Sequence, residues 1–143
     1  MTEFDPDSVP ARVAFVAGRV NRRLRSATGG LSHGLLSALA TVAKTGPHRL
    51  AELGQIEQVS APGMTRIIAE LEARDLVARR PDPDDGRAVL IEVTQAGMDA
   101  VFRARAARAD VVAGLLAELD AAELATIEAA LPALEKLAGN PVR

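Results

Sequence analysis

The chain has 143 residues, 48% hydrophobic and 25% charged, which is ordinary globular composition for one domain. Seventeen basic against 19 acidic residues leave a net charge of -2, so no global positive field announces a polyanionic partner. Cysteine is absent, which excludes disulfides, thiolate nucleophiles, cysteine-bearing zinc sites and thiol redox switches. No apolar run approaches the roughly 18 residues of a membrane span, so no membrane partner is expected. The stretch Met1-Thr2-Glu3-Phe4-Asp5-Pro6-Asp7 is acidic and polar, the opposite of a secretory signal, and the expected address is the cytoplasm. With 28 Ala, three Phe and no Trp or Tyr, the composition predicts a mainly α fold with little sheet.

Residues 8–27 read as a first helix, capped by Ser8 with Pro10 in the first turn. Val9, Val13, Val16, Val20 and Leu24 form one apolar stripe on it, and Gly29-Gly30 breaks the pattern. Ser32 caps a second helix that runs to about Lys44. Its Leu35, Leu36, Leu39, Ala40 and Val42 are apolar nearly all round, which predicts burial on more than one side; Gly46-Pro47 ends it. A short helix follows over about 49–55. After a break near Gln58-Val59, Ser60 caps another that ends near Arg74, with Pro62 in its first turn and Met64, Ile67, Ile68 and Leu71 on its apolar side. Two short helices joined by a tight turn form a helix-turn-helix pattern.

Residues 76–80 and 87–93 are strand-like runs flanking the Pro/Asp/Gly-rich segment 81–86, which predicts a β-hairpin and the only strand pair. Thr94 caps a long helix over about 95–119. Asp120 and Glu123 resemble a capping box that opens a last helix, with Leu124, Ile127, Leu131, Leu134 and Leu137 apolar and an expected kink at Pro132. The first and last helices and the end of the fifth carry more apolar surface than one small domain needs, which predicts packing against their copies in a two-fold dimer.

A helix-turn-helix followed at once by a two-stranded hairpin is a winged helix. The second helix of such a pair fits the roughly 12 Å major groove, and the hairpin tip reaches a neighbouring minor groove. A narrow minor groove concentrates negative potential and favours an arginine, and Arg87 sits at the tip beside Asp84 and Asp85, which are expected to hold it. Enzyme chemistry finds no support. There is no nucleophile–base pair, no glycine-rich phosphate loop, and no metal set around the only histidines, His33 and His48, so neither cofactor nor metal is expected. His48 reads as a loop residue beside Pro47.

The segment Asp82-Pro83-Asp84-Asp85-Gly86-Arg87, with Val93-Thr94-Gln95-Ala96-Gly97, resembles the wing signature of MarR-type (multiple antibiotic resistance) regulators, roughly D-P-x-D-x-R then L-T-x-x-G. Leu50-Ala51-Glu52-Leu53, Ser60, Met64-Thr65-Arg66-Ile67-Ile68, Leu71-Glu72 and Asp75-Leu76-Val77 are similar to that family's helix-turn-helix. Two departures are visible: Gly86 replaces what is often a second arginine, and Val93 stands where Leu is usual.

The resemblance implies a single MarR-type domain over 1–143, with dimerisation helices at 8–27 and 95–138 and a winged helix-turn-helix lobe at 31–94. It implies a homodimeric regulator, usually a repressor, on a palindromic double-stranded DNA operator. Ser60, Pro62, Gly63, Thr65 and Arg66 become its groove-facing residues. Arg66 would read bases, Arg87 would enter the minor groove with Asp85 orienting it, and Arg79 or Arg80 would meet phosphate or pair with an aspartate. It also implies release by a small aromatic acid or phenol, with Val16, Val20, His33 and Leu36 lining the pocket and Arg19 or Arg23 binding a carboxylate. A winged helix used for protein–protein interaction without DNA is the alternative.

Overall fold

A computed structural model of the chain describes residues 5–139. Six helices and three short strands follow in the order α1 (Val9–Leu24), α2 (His33–Thr45), β1 (His48–Arg49), α3 (Leu50–Glu57), α4 (Ala61–Ala73), β2 (Val77–Pro81), β3 (Val89–Val93), α5 (Gln95–Leu116) and α6 (Ala121–Leu137). The helix starts follow side-chain chemistry. Ser8 Oγ accepts the Ala11 N–H, Ser32 Oγ that of Leu35, and Ser60 Oγ that of Gly63; Thr94 Oγ1 accepts that of Gly97. Asp120 and Glu123 close a reciprocal capping box at 2.8 and 3.0 Å. α6 is one helix with Pro132 inside it.

The expected two-stranded wing is present as β2 and β3, but theirs is not the only strand pair in the sheet. It has three strands in the order β1-β3-β2, all antiparallel, with His48 opposite Ile91 and Arg49 opposite Leu90. Two residues between Gly46-Pro47 and a helix are too few to show a period, so the pattern alone reads His48 as a loop residue where the structure has a strand. β2 and β3 pair from Val77–Val93 at the base to Pro81–Val89 at the tip.

The described chain divides into two compact units on either side of the Arg108–Ala109 bond. The core of the first is Leu35, Leu36, Ala38, Leu39 and Val42 of α2, Leu53 of α3, Met64, Ile68 and Leu71 of α4, Ile91 of β3, and Val101 and Ala104 of α5. α2 is buried on several sides, as its all-round apolar character predicts. α1 buries nothing: Val9, Val13, Val16 and Val20 are all exposed. In the second unit α6 also has no buried residue, and Leu131, Leu134 and Leu137 are exposed. No helix among the described residues is long and apolar enough to cross a membrane.

α5 enters the first unit by a close approach. A Cβ on Gly97 would lie 2.1 Å from the Leu76 carbonyl oxygen, so only glycine lets the helix rest there. Thr94 ties the same junction: its N–H donates to Leu76 O at 3.1 Å and its hydroxyl to Asp75 O at 2.6 Å.

Candidate nucleic-acid interface

α4 is built to offer one face and hide the other. Met64, Ile68 and Leu71 are fully buried, while Ala61, Pro62, Thr65 and Arg66 are exposed. Its start is set by the turn from α3, in which Gln58 takes a left-handed conformation (φ 54°) and the Val59 N–H returns to Gly54 O at 2.9 Å. Ser60 accepts from the helix and keeps its own hydroxyl proton to donate, whereas Thr65 donates its proton back to Ala61 O at 2.9 Å. Gly63 has a packing reason: a Cβ there would meet Val59 Cγ1 at 2.9 Å and Ser60 Oγ at 3.1 Å. It points into the turn.

The arginines sort into paired and unpaired. Arg74 binds Glu70, Arg79 binds Glu72 and Arg80 binds Glu92, each at 2.6 Å. The aspartate expected as the alternative partner of Arg79 or Arg80 is not the one found; glutamates one strand or one helix away take its place, because β2 lies beside β3 and the end of α4. Among the described residues Arg66 and Arg87 make no ion pair, and both are exposed. A guanidinium with no carboxylate partner is free to engage phosphate or base edges.

The wing tip also departs from expectation. Asp84 and Asp85 do not hold the Arg87 side chain; Asp85 Oδ1 accepts the Arg87 backbone N–H at 3.1 Å, shaping the turn. The aspartate that does structural work is Asp82, only 7% exposed. Its Oδ2 accepts Arg49 Nε at 3.0 Å and Nη2 at 2.7 Å, and its Oδ1 accepts the Asp84 N–H at 2.9 Å. The Asp84 N–H and then the Arg49 guanidinium hold its carboxyl below the usual carboxylate range, and the bond to Asp82 raises Arg49 above its ordinary value. Arg49, at the end of β1, thus pins the start of the wing loop to the third strand. Sequence reasoning missed it, because the β1 pairing that brings it there left no pattern.

The six residues expected to line one effector pocket are not brought together. His33 and Leu36 line a groove of about 280 Å³ with Ser37, Ala40, Thr41, Lys44, Arg105 and Arg108. Val16 lines a separate, smaller site of about 210 Å³ with Pro6, Ala11, Arg12 and Phe15, and the Arg19 guanidinium sits 5.8 Å from the Phe15 ring centre. Val20 and Arg23 line neither. The reason is that α1 buries no residue, so its stripe does not wall the α2 groove. Lys44, Arg105 and Arg108 went unnoticed in the sequence because they lie on two helices about 60 residues apart.

Three antiparallel strands beside a helix-turn-helix, with an outward α4 face and an arginine-bearing tip, define a winged helix-turn-helix protein. A family model described as "MarR family" matches residues 31–89. An HTH-type transcriptional regulator of Mycobacterium tuberculosis is 41% identical over 101 residues, 71% of each chain; an uncharacterised one of Mycobacterium leprae is 43% identical over 86 residues, 60% of each. The chain therefore belongs to the MarR family and is a transcriptional regulator, not an enzyme. Solved structures agree in fold. A Mycobacterium tuberculosis protein superposes with a TM-score of 0.81 at 21% identity, covering 99% of both chains. A mutant of MarR from E. coli, complexed with operator DNA, superposes with 0.61 at 22% identity, covering 93% of this chain and 99% of that one.

Proposed function

We propose that this regulator binds a palindromic double-stranded DNA operator as a homodimer in the cytoplasm, represses nearby genes, and is released by a small aromatic acid or phenol. The carrying observation is that Arg66 and Arg87, the two arginines on the recognition helix and wing tip, are exposed and unpaired while Arg74, Arg79 and Arg80 are neutralised by glutamates. Arg66 reads base edges from the major groove, and Arg87 enters the minor groove. Ser60 donates to phosphate, and Pro62 and Thr65 face the groove beside it. Gly63 and Asp85 act by shaping the turn and the wing tip, and Arg79 and Arg80 stay with their glutamates. The operator-bound relative supports this reading of the fold.

The whole chain acts as one MarR-type domain. Residues 31–94 form the DNA-binding lobe, and the exposed valine stripe of α1 and the exposed leucines of α6, in the segments 8–27 and 95–138, meet their copies across a two-fold axis. An acidic effector is supported by the α2 groove, where an apolar floor meets Lys44, Arg105 and Arg108; among the described residues Arg108 Nε is buried without a hydrogen-bond partner. The test is fluorescence anisotropy on labelled duplexes from the promoter of its own and the neighbouring gene. Tight binding that weakens steeply as salt rises supports the reading. Salt-independent binding, or none to any duplex selected from a random pool, replaces it with a protein-binding winged helix.

A further inference from the structure

Two residues that line the α2 groove also hold the end of α3. Ser37 and Thr41 stand one turn apart on α2 and donate to the two carboxylate oxygens of Glu57, Ser37 Oγ to Oε2 and Thr41 Oγ1 to Oε1, both at 2.5 Å. Glu57 is the last residue of α3, where the negative end of the helix dipole disfavours a carboxylate, so the α2 hydroxyls rather than its own helix fix it in place. Only Gln58 and Val59 separate it from Ser60, the cap of α4. The clamp therefore sits three residues upstream of the cap of the proposed recognition helix.

We infer that Glu57, gripped by Ser37 and Thr41, is the positioning residue through which occupancy of the α2 groove sets the aim of α4. Each hydroxyl has one proton. While it goes to Glu57, the α3–α4 turn is tied to α2. An anion drawn into the groove by Lys44, Arg105 and Arg108 competes for the same proton. Its capture leaves a half-buried carboxylate short of a donor, and the turn loses its tie. The link to ligand rests on the reading of the groove as an effector site; the positioning of α4 by Glu57 does not.

The experiment compares the full-length protein with Glu57→Gln, the double variant Ser37→Ala/Thr41→Val, and Thr41→Ser, which keeps the hydroxyl. Anisotropy measures affinity for a duplex selected from a random pool by the unaltered protein and for a scrambled duplex of equal length. Circular dichroism checks folding. Because the clamp aims the helix without making phosphate contacts, the ratio of the two affinities should fall at least about tenfold in Glu57→Gln and in the double variant. Scrambled-duplex affinity should stay constant, and Thr41→Ser should behave as the parent. A ratio within twofold of the parent in both folded variants overturns the proposal, as does a ratio that falls equally in Thr41→Ser. In a second arm, benzoate binding is followed by calorimetry alongside DNA release. Benzoate that binds the double variant without further lowering its DNA affinity supports the coupling; equal release from parent and variant overturns it. Failure of benzoate to bind the parent refutes the acidic-effector reading and with it the ligand link, and the first arm still decides the positioning role.

Discussion

Gly97→Ala isolates the junction that joins helix-turn-helix, wing and long helix. The added methyl would lie 2.1 Å from the Leu76 carbonyl oxygen, 2.8 Å from Val93 Cγ2 and 3.1 Å from the Leu76 carbonyl carbon. Since even close carbon–oxygen contacts sit at roughly 3.3 Å, something must retreat by about 1 Å. The obstacle is backbone and is held on two sides. Leu76 O accepts the Thr94 N–H, and Leu76 N–H donates to Leu71 O at 3.0 Å. Overpacking costs about 1–3 kcal/mol, and a fixed obstacle puts this case at the upper end. The helical preference of alanine over glycine returns roughly 1 kcal/mol at most, leaving a net loss of about 2 kcal/mol. Gly34→Ala is the matched control, because its methyl would meet only Ile67 Cδ1 at 3.8 Å, an ordinary contact; it should stabilise by a few tenths to about 1 kcal/mol. Urea unfolding followed by circular dichroism, at one protomer concentration, separates them. With a slope of about 1–3 kcal/mol per molar, the midpoint should drop by roughly 1 M for Gly97→Ala and rise slightly for Gly34→Ala. A Gly97→Ala midpoint at or above that of the parent, with unchanged slope, refutes the close-approach argument.

Arg66→Ala should cost about 1–3 kcal/mol of operator affinity and relax base preference at one position per half-site, measured by binding to a panel of single-base operator variants. Arg87→Ala should weaken binding to all sequences more evenly and reduce the salt slope by about 1 per protomer in the same anisotropy assay. The carboxyl of Asp82 titrates below its ordinary range in the folded protein. It therefore contributes stability above pH about 4, the unfolded carboxylate value, and that stability is lost as pH falls through the folded value. Arg49 stays charged in both states across this range and adds no slope. Thermal midpoints between pH 6 and 2.5 should fall less steeply in Asp82→Asn than in the parent, and parallel curves would contradict this. Val16→Asp, on the exposed stripe of α1, should convert a dimer to a monomer at micromolar concentration in analytical ultracentrifugation, with unchanged helix content by circular dichroism.

Much of the fold is legible because its punctuation is local. Ser8, Ser32, Ser60, Thr94 and Asp120 each mark a helix start that side-chain bonds reproduce. The all-round apolar pattern of α2 also forecasts its central burial. What the sequence hides depends on long-range pairing. β1 exists only because β3 lies beside it, and the Arg49–Asp82 bond spans 33 positions. The α2 groove and the Glu57 clamp likewise join residues from separate helices, so no spacing rule connects them. The effector residues placed on α1 failed to gather for a related reason. An apolar stripe shows that a helix has a face to bury, but not which neighbour covers it.

The charge arrangement resolves how an acidic chain serves as a DNA regulator on the proposed reading. Between residues 60 and 91 five arginines face six acids, so the lobe has no basic excess. Three of those arginines are tied to glutamates at 2.6 Å, leaving Arg66 and Arg87 to meet the duplex, four cations in a dimer. Each neutralised phosphate contributes roughly -0.9 to the slope of log affinity against log salt, so the dimer should show a slope near -4. Weak non-specific attraction follows, and discrimination then depends on how accurately the recognition helix is aimed rather than on bulk charge. A measured slope of about -8 or steeper would mean that Arg74, Arg79 and Arg80 abandon their glutamates for phosphate. In that case Glu72→Gln and Glu92→Gln should tighten operator binding, since each frees an arginine already poised on the wing. If the slope is near -4, the same two substitutions should instead raise affinity for scrambled DNA more than for the operator and so lower specificity.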